Sequence, residues 1–119
     1  MMTFFKRVVF VCCLFLPTAL AAQDFKWIQT EAEFRTLVVG KKLWFNTDNF
    51  TIKGNGALTG NFGGKRLQGA WAWRDQYWCR TLTTHSKNTD CQKWETDGKT
   101  FRVTRGRGAG KSFVYTLKR

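Results

Sequence analysis

Arg80 ends the run Gly69-Ala-Trp71-Ala-Trp73-Arg-Asp75-Gln-Tyr77-Trp78-Cys79-Arg80, and the side chains best suited to recognition gather around it. A guanidinium is permanently charged, offers a planar fork of donors to a carboxylate or phosphate, and stacks on aromatic faces. Set among tryptophans in a concave wall, it would bind a small anionic or aromatic ligand. A second cationic group, Arg105, Arg107 and Lys111, lies in the glycine-rich stretch Arg105-Gly-Arg-Gly-Ala-Gly-Lys111, whose backbone amides could also receive an anion. The stretch is close to a phosphate loop but is not one. That motif requires a glycine five residues before the Gly110-Lys111 pair, where this chain has Arg105, and a helix after it, where this chain reads as a strand.

Hydrolytic chemistry has little to stand on. His85 is the only histidine, and a secreted nuclease would pair it with Glu95 or an arginine for acid-base work. His85 falls at an expected loop tip beside Ser86 and Lys87, distant in register from Glu95. No serine or cysteine has a base beside it, and the acids are scattered, so neither a nucleophile nor a carboxylate pair is visible. No metal site and no cofactor are expected, because two cysteines with no histidine pattern make a poor zinc site.

These groups must be positioned by strands. Two β-favouring runs flank the polar pair Asp75-Gln76, which reads as a hairpin with a two-residue loop. Trp73 then faces Trp78, Trp71 faces Arg80 and Gly69 faces Leu82, all on the more apolar and hence interior side. If Cys79 and Cys91 oppose each other in the next hairpin, Arg80 is opposed by Asp90, Trp78 by Gln92 and Tyr77 by Lys93. Trp94 joins the same face. Two readings follow. In one, Trp71, Trp73, Trp78, Arg80 and Trp94 line a barrel mouth that takes a ligand; in the other, the tryptophans fill the core and Arg80-Asp90 is a structural ion pair, since a buried charge must be paired. The second is the more economical for the cluster taken alone.

Around these hairpins the chain predicts one short helix and a meander. Thr30-Glu31-Ala32-Glu33 fits a capping box, Phe34, Leu37 and Val38 share a helical face, and Gly40 stands where a C-terminal cap belongs. This helix should cover one end of a sheet. From Lys41 onward apolar residues alternate between turn signals at 46–49, 54–56, 61–65, 75–76, 85–88, 97–98 and 106–110. The expectation is a mainly β fold: about eight short antiparallel strands forming a small barrel or strongly bent sheet, which disposes of exposed edges. No linker or repeat interrupts residues 22–119, which read as a single domain.

Residues 1–21 read as a signal peptide. Lys6 and Arg7 precede the apolar run from Val8 to Leu16, and Ala19-Leu20-Ala21 follows as a cleavage site. The apolar run is shorter than the roughly 20 residues a membrane helix needs, so no transmembrane span is expected in the mature chain. Removal of the segment takes the cysteines from four to two, and in an exported protein Cys79 and Cys91 should pair, contributing on the order of 3 kcal/mol. It also lowers the formal charge from +12 to +10 by loss of Lys6 and Arg7. Such an excess favours an anionic ligand or an envelope polyanion as partner, in the periplasm or outside the cell.

The Gly69 to Arg80 run, with Asp90-Cys91-Gln92 and Arg107-Gly-Ala-Gly110, resembles a family of small exported bacterial proteins of unestablished role, some labelled dihydrodipicolinate reductase. The likeness extends from the helix to the C-terminus. Where that pattern commonly has glycine, this chain has Gln76, which leaves the turn type open. The reductase label would require a glycine-rich βαβ turn for a dinucleotide, and this sequence has none. The expectation carried forward is an exported, non-enzymatic domain that binds an anionic partner through a basic, Trp-rich barrel mouth. A protein-interaction or inhibitor module of the envelope is the alternative, and a secreted nuclease-like hydrolase the second alternative.

Overall fold

The computed structural model describes residues 24–118, so the expected signal peptide lies outside the described residues. The order is β1 (Lys26–Trp27), α1 (Glu31–Leu37), β2 (Lys42–Phe45), β3 (Asp48–Ile52), β4 (Ala57–Phe62), β5 (Lys65–Arg74), β6 (Tyr77–Leu82), β7 (Asp90–Thr96), β8 (Thr100–Thr104) and β9 (Ser112–Thr116). From β2 to β9 each strand pairs antiparallel with the next, and β9 returns to β2 through Trp44 and Thr116, closing an eight-stranded barrel. Closure removes the free edges that an open meander would expose.

The central registers are those expected from the sequence. Trp71 opposes Arg80 and Trp73 opposes Trp78 between β5 and β6. Cys79 opposes Cys91 and Arg80 opposes Asp90 between β6 and β7, and Cys79 and Cys91 form a disulfide. Arg74 pairs with Tyr77, so Asp75 and Gln76 are the loop. Asp75 takes the left-handed conformation (φ 56°), which aspartate tolerates better than most residues, whereas Gln76 does not, so glycine is not required there. The turn expected over 46–49 is shorter: Phe45 pairs with Asp48, leaving only Asn46 and Thr47.

One strand was not expected. β1 places Lys26 opposite Thr96 and Trp27 opposite Glu95. The other edge of β7 at these residues is taken by β8, and β6 pairs only with residues 90–92, so β1 completes the edge that β6 leaves.

Two interior glycines let the wall bend. A Cβ at Gly69 would lie 2.6 Å from the Thr81 carbonyl oxygen, and one at Gly60 would overlap the Asn49 carbonyl oxygen. Only glycine permits so close an approach of neighbouring backbones.

The helix plugs one end, as its pattern implied. Thr30 Oγ1 accepts from the Glu33 amide at 3.2 Å, and Phe34 and Val38 are fully buried. The helix stops at Leu37, and Gly40 serves the following turn (φ 84°), its amide donating to the Ile52 carbonyl. The Phe34 ring meets Trp71, Trp73, Trp78 and Trp94 at centroid distances of 5.8, 5.2, 6.2 and 5.2 Å. Arg35 adds an outer clamp, its guanidinium 5.0 Å from the Trp71 ring and donating to the Gly54 carbonyl.

Candidate functional site

In an up-and-down barrel, alternate turns lie at opposite ends. The turns at 53–56, 75–76 and 97–99 share one end with α1, and those at 46–47, 63–64, 83–89 and 105–111 share the other. The acids divide accordingly. The plugged end mixes Glu31, Glu33, Asp75 and Asp97 with Arg35, Lys53 and Lys99, whereas the loops of the open end carry Lys87, Arg105, Arg107 and Lys111 and no acid. The two acids on strand residues beside these loops each hold a loop amide: Asp48 Oδ1 accepts from Gly63 at 2.9 Å, and Asp90 Oδ1 from Gly106 at 3.0 Å.

Strand direction decides which interior side chains reach the open end. β5 leaves it at Lys65 and arrives at the plug with Trp71 and Trp73; β6 returns through Trp78 and Arg80 to Leu82. Between Trp78 and the open end is a cavity of about 140 Å³. Its apolar walls come from Phe50, Leu58, Phe62, Leu67, Leu82 and Val103, with Phe113 near the rim. Its polar lining is Arg80, Gln92, Tyr115, His85, Ser86 and Arg105. His85, Ser86 and Arg105 are exposed and frame the entrance, whereas Arg80 and Gln92 are buried.

Arg80 is 8% exposed, and its Nη1 has no hydrogen-bond partner. The expected ion pair with Asp90 is corrected here. The two residues oppose each other in the ladder, but Asp90 turns one oxygen to the Gly106 amide and the other to Gln92 Nε2 at 2.8 Å, and no salt bridge joins it to Arg80. Asp90 acts on Arg80 only as a nearby charge. Burial holds the guanidinium below its ordinary range, Asp90 opposes that shift, and Arg105 adds to it. The indole nitrogen of Trp78, the next lining residue, is buried and also without a partner. Tyr115 is pushed up to about 12, chiefly by burial.

The expected site residues are thus separated. Trp78, Arg80 and Arg105 line the cavity. Trp71 and Trp73 do not reach the mouth: they pack against Phe34, and their indoles donate to the carbonyls of Lys53 and Asp75 at 2.8 and 2.9 Å. Trp94 sits deeper in the core, between Trp78, Phe50 and Phe101. The basic loop divides as well. Arg105 lies 5.3 Å from the Phe113 ring at the cavity, while Arg107 turns to the outer wall over Tyr77 at 5.6 Å, and exposed Lys111 is not among the lining residues.

His85 and Glu95 are not brought together. His85 Nε2 bonds the Phe62 carbonyl at 2.9 Å, so this nitrogen carries the proton, and Nδ1 meets Thr84 Oγ1 at 2.9 Å. Glu95 lies in the plug-side half of β7, where both its oxygens accept from Arg102 at 3.1 and 2.8 Å. Among the described residues no cluster of three or more metal-binding side chains occurs, and no helix is long and apolar enough to cross a membrane.

Phe62, Leu67, Leu82 and Phe113 were not singled out from the sequence. Their signal was available: each is an inward-facing residue next to a turn at the open end, once strand direction is followed from turn to turn. No protein-family model, curated protein or solved structure matches the chain.

Proposed function

We propose that this is an exported, non-enzymatic binding domain whose open barrel end takes an anionic ligand, with Arg80 as the recognising charge. The observation that carries the reading is Arg80 Nη1, buried and unpartnered in the wall of a cavity that no acid lines. A buried donor without an acceptor costs about 1–3 kcal/mol, and more when charged. An anion in the cavity would recover that cost. Arg105 at the entrance and the acid-free loops around it would draw such a ligand in by long-range attraction. Export is supported by the leader pattern of residues 1–21 and by the Cys79–Cys91 disulfide, which persists best in an oxidising compartment.

Trp78 in the cavity wall reports on occupancy. Intrinsic fluorescence of the purified protein should change saturably with a bound anion, at low and at moderate salt, and the change should disappear in Arg80→Met. A response shared by every polyanion that fades with salt would instead mark a diffuse basic surface and would redirect the search to a protein partner.

A further inference from the structure

The cavity that Arg80 serves also limits what can enter it. We infer that its ligand is a small amphipathic monocarboxylate, with one charged end and an apolar body about the size of a single ring; this rests on the anion-binding reading above. The volume is about 140 Å³, close to that of an engineered apolar cavity of about 150 Å³ that admits benzene. A long acyl chain or an oligosaccharide would therefore have to remain outside.

The lining sets the chemistry of the two ends. Leu58, Leu67 and Val103 line the cavity and are only 2, 6 and 2% exposed, so its inner part is an apolar space screened from solvent. A phosphate or sulfate has no apolar body to fill it. The unpartnered donors in the lining, Arg80 Nη1 and Trp78 Nε1, call for acceptors, and a carboxylate brings two oxygens with no proton to place. One negative charge is matched, because Arg80 is the only buried cation of the lining, whereas Arg105 is exposed at the entrance. An alcohol or amide of the same shape would satisfy the donors less well, since a charged acceptor roughly doubles the strength of the hydrogen bond.

Calorimetric titration of the purified protein with phenylacetate, phenylacetamide, inorganic phosphate, hexadecanoate and heparin tests this. Phenylacetate should bind saturably, while the neutral amide and phosphate should not. Arg80→Met should weaken phenylacetate by roughly thirtyfold or more, as expected for removal of a buried charge partner. Arg105→Ala, at the exposed entrance, should weaken it only a few-fold and reduce its salt dependence. Binding of phosphate or hexadecanoate in place of phenylacetate, with the same dependence on Arg80, would overturn the ligand class and leave the anion site standing. If no probe gives an Arg80-dependent response while both variants keep the wild-type near-ultraviolet dichroism, both readings fall.

Discussion

Arg80 and Asp90 face each other across β6 and β7 without forming an ion pair: both carboxylate oxygens are engaged elsewhere, and Arg80 Nη1 has no partner. This arrangement is not that of a structural ion pair. A structural pair would have the carboxylate on the guanidinium. Here the carboxylate ties down the 105–111 loop through the Gly106 amide and leaves the charge directed at the cavity.

Arg80→Met should therefore stabilise the free protein. Replacing a buried, uncompensated charge with an apolar side chain of similar length removes its desolvation cost, and a gain of about 1 kcal/mol is expected. In a domain of this size that is a rise of about 4–8 °C in Tm. If thermal denaturation shows a loss of about 3–5 kcal/mol instead, Arg80 is holding the fold together as a pair partner.

The disulfide joins β6, the strand that carries Arg80, to β7, across a separation of 12 residues. Its removal in the double variant Cys79→Ala/Cys91→Ala should cost about 3 kcal/mol in a urea titration. Because Cys79 alternates with inward-facing Trp78 and Arg80, the variant should keep its ligand response where it is folded. Unchanged stability would mean that β6 and β7 are held in register by packing alone.

Phe34 fills the end of the barrel against four indoles. Phe34→Ala should cost about 3–5 kcal/mol, and Thr30→Ala, which removes the helix cap, about 1 kcal/mol. Chemical denaturation of the two variants checks both. A Phe34→Ala loss no larger than that of Thr30→Ala would show that the helix merely rests on the barrel.

Tyr115 gives the cavity a pH signature. Its ionisation is pushed from the ordinary value of about 10 up to about 12, first by burial. The folded state thus disfavours the phenolate relative to the unfolded chain. The stability this contributes is complete below about pH 10 and is lost as pH rises through about 12. Ultraviolet titration should show a tyrosine step near pH 12 that is missing in Tyr115→Phe. Were the step to stay in that variant, it would not belong to Tyr115, and the cavity would lose this signature.

Much of the fold was legible in the sequence because its turns are chemically marked. Asp75-Gln76 between alternating runs, together with the Cys79-Cys91 spacing, set the register of two hairpins: the structure has the expected pairs between β5 and β6 and, between β6 and β7, those of Trp78, Cys79 and Arg80, while the ladder does not extend to the expected Tyr77-Lys93 pair. β1 was not legible: two residues show no alternation, and only the edge of β7 left free beyond β6 gives them a place. The site was half legible. Sequence alternation placed Trp71, Trp73, Trp78 and Arg80 on one face, but a face does not say which end of the barrel each residue reaches. Trp71 and Trp73 lie at the outgoing end of β5 and meet the helix, so the cluster divides into a plug partner and a cavity wall. The freedom of Arg80 was illegible for another reason. A cross-strand Asp90 looks like a partner until the amide of Gly106, 16 residues away, is seen to hold it.

The most direct measurement is a nitrogen-15 spectrum of the tryptophan indoles, recorded with and without phenylacetate. The Trp78 indole, buried without a partner in the cavity wall, should shift strongly as ligand is added. Those of Trp71 and Trp73, already bonded to the carbonyls of Lys53 and Asp75, should stay in place. Arg80→Met should abolish the Trp78 shift. Should the indoles of Trp71 and Trp73 move instead, or all of them move slightly in a salt-dependent way, the open end of the barrel is not a binding site.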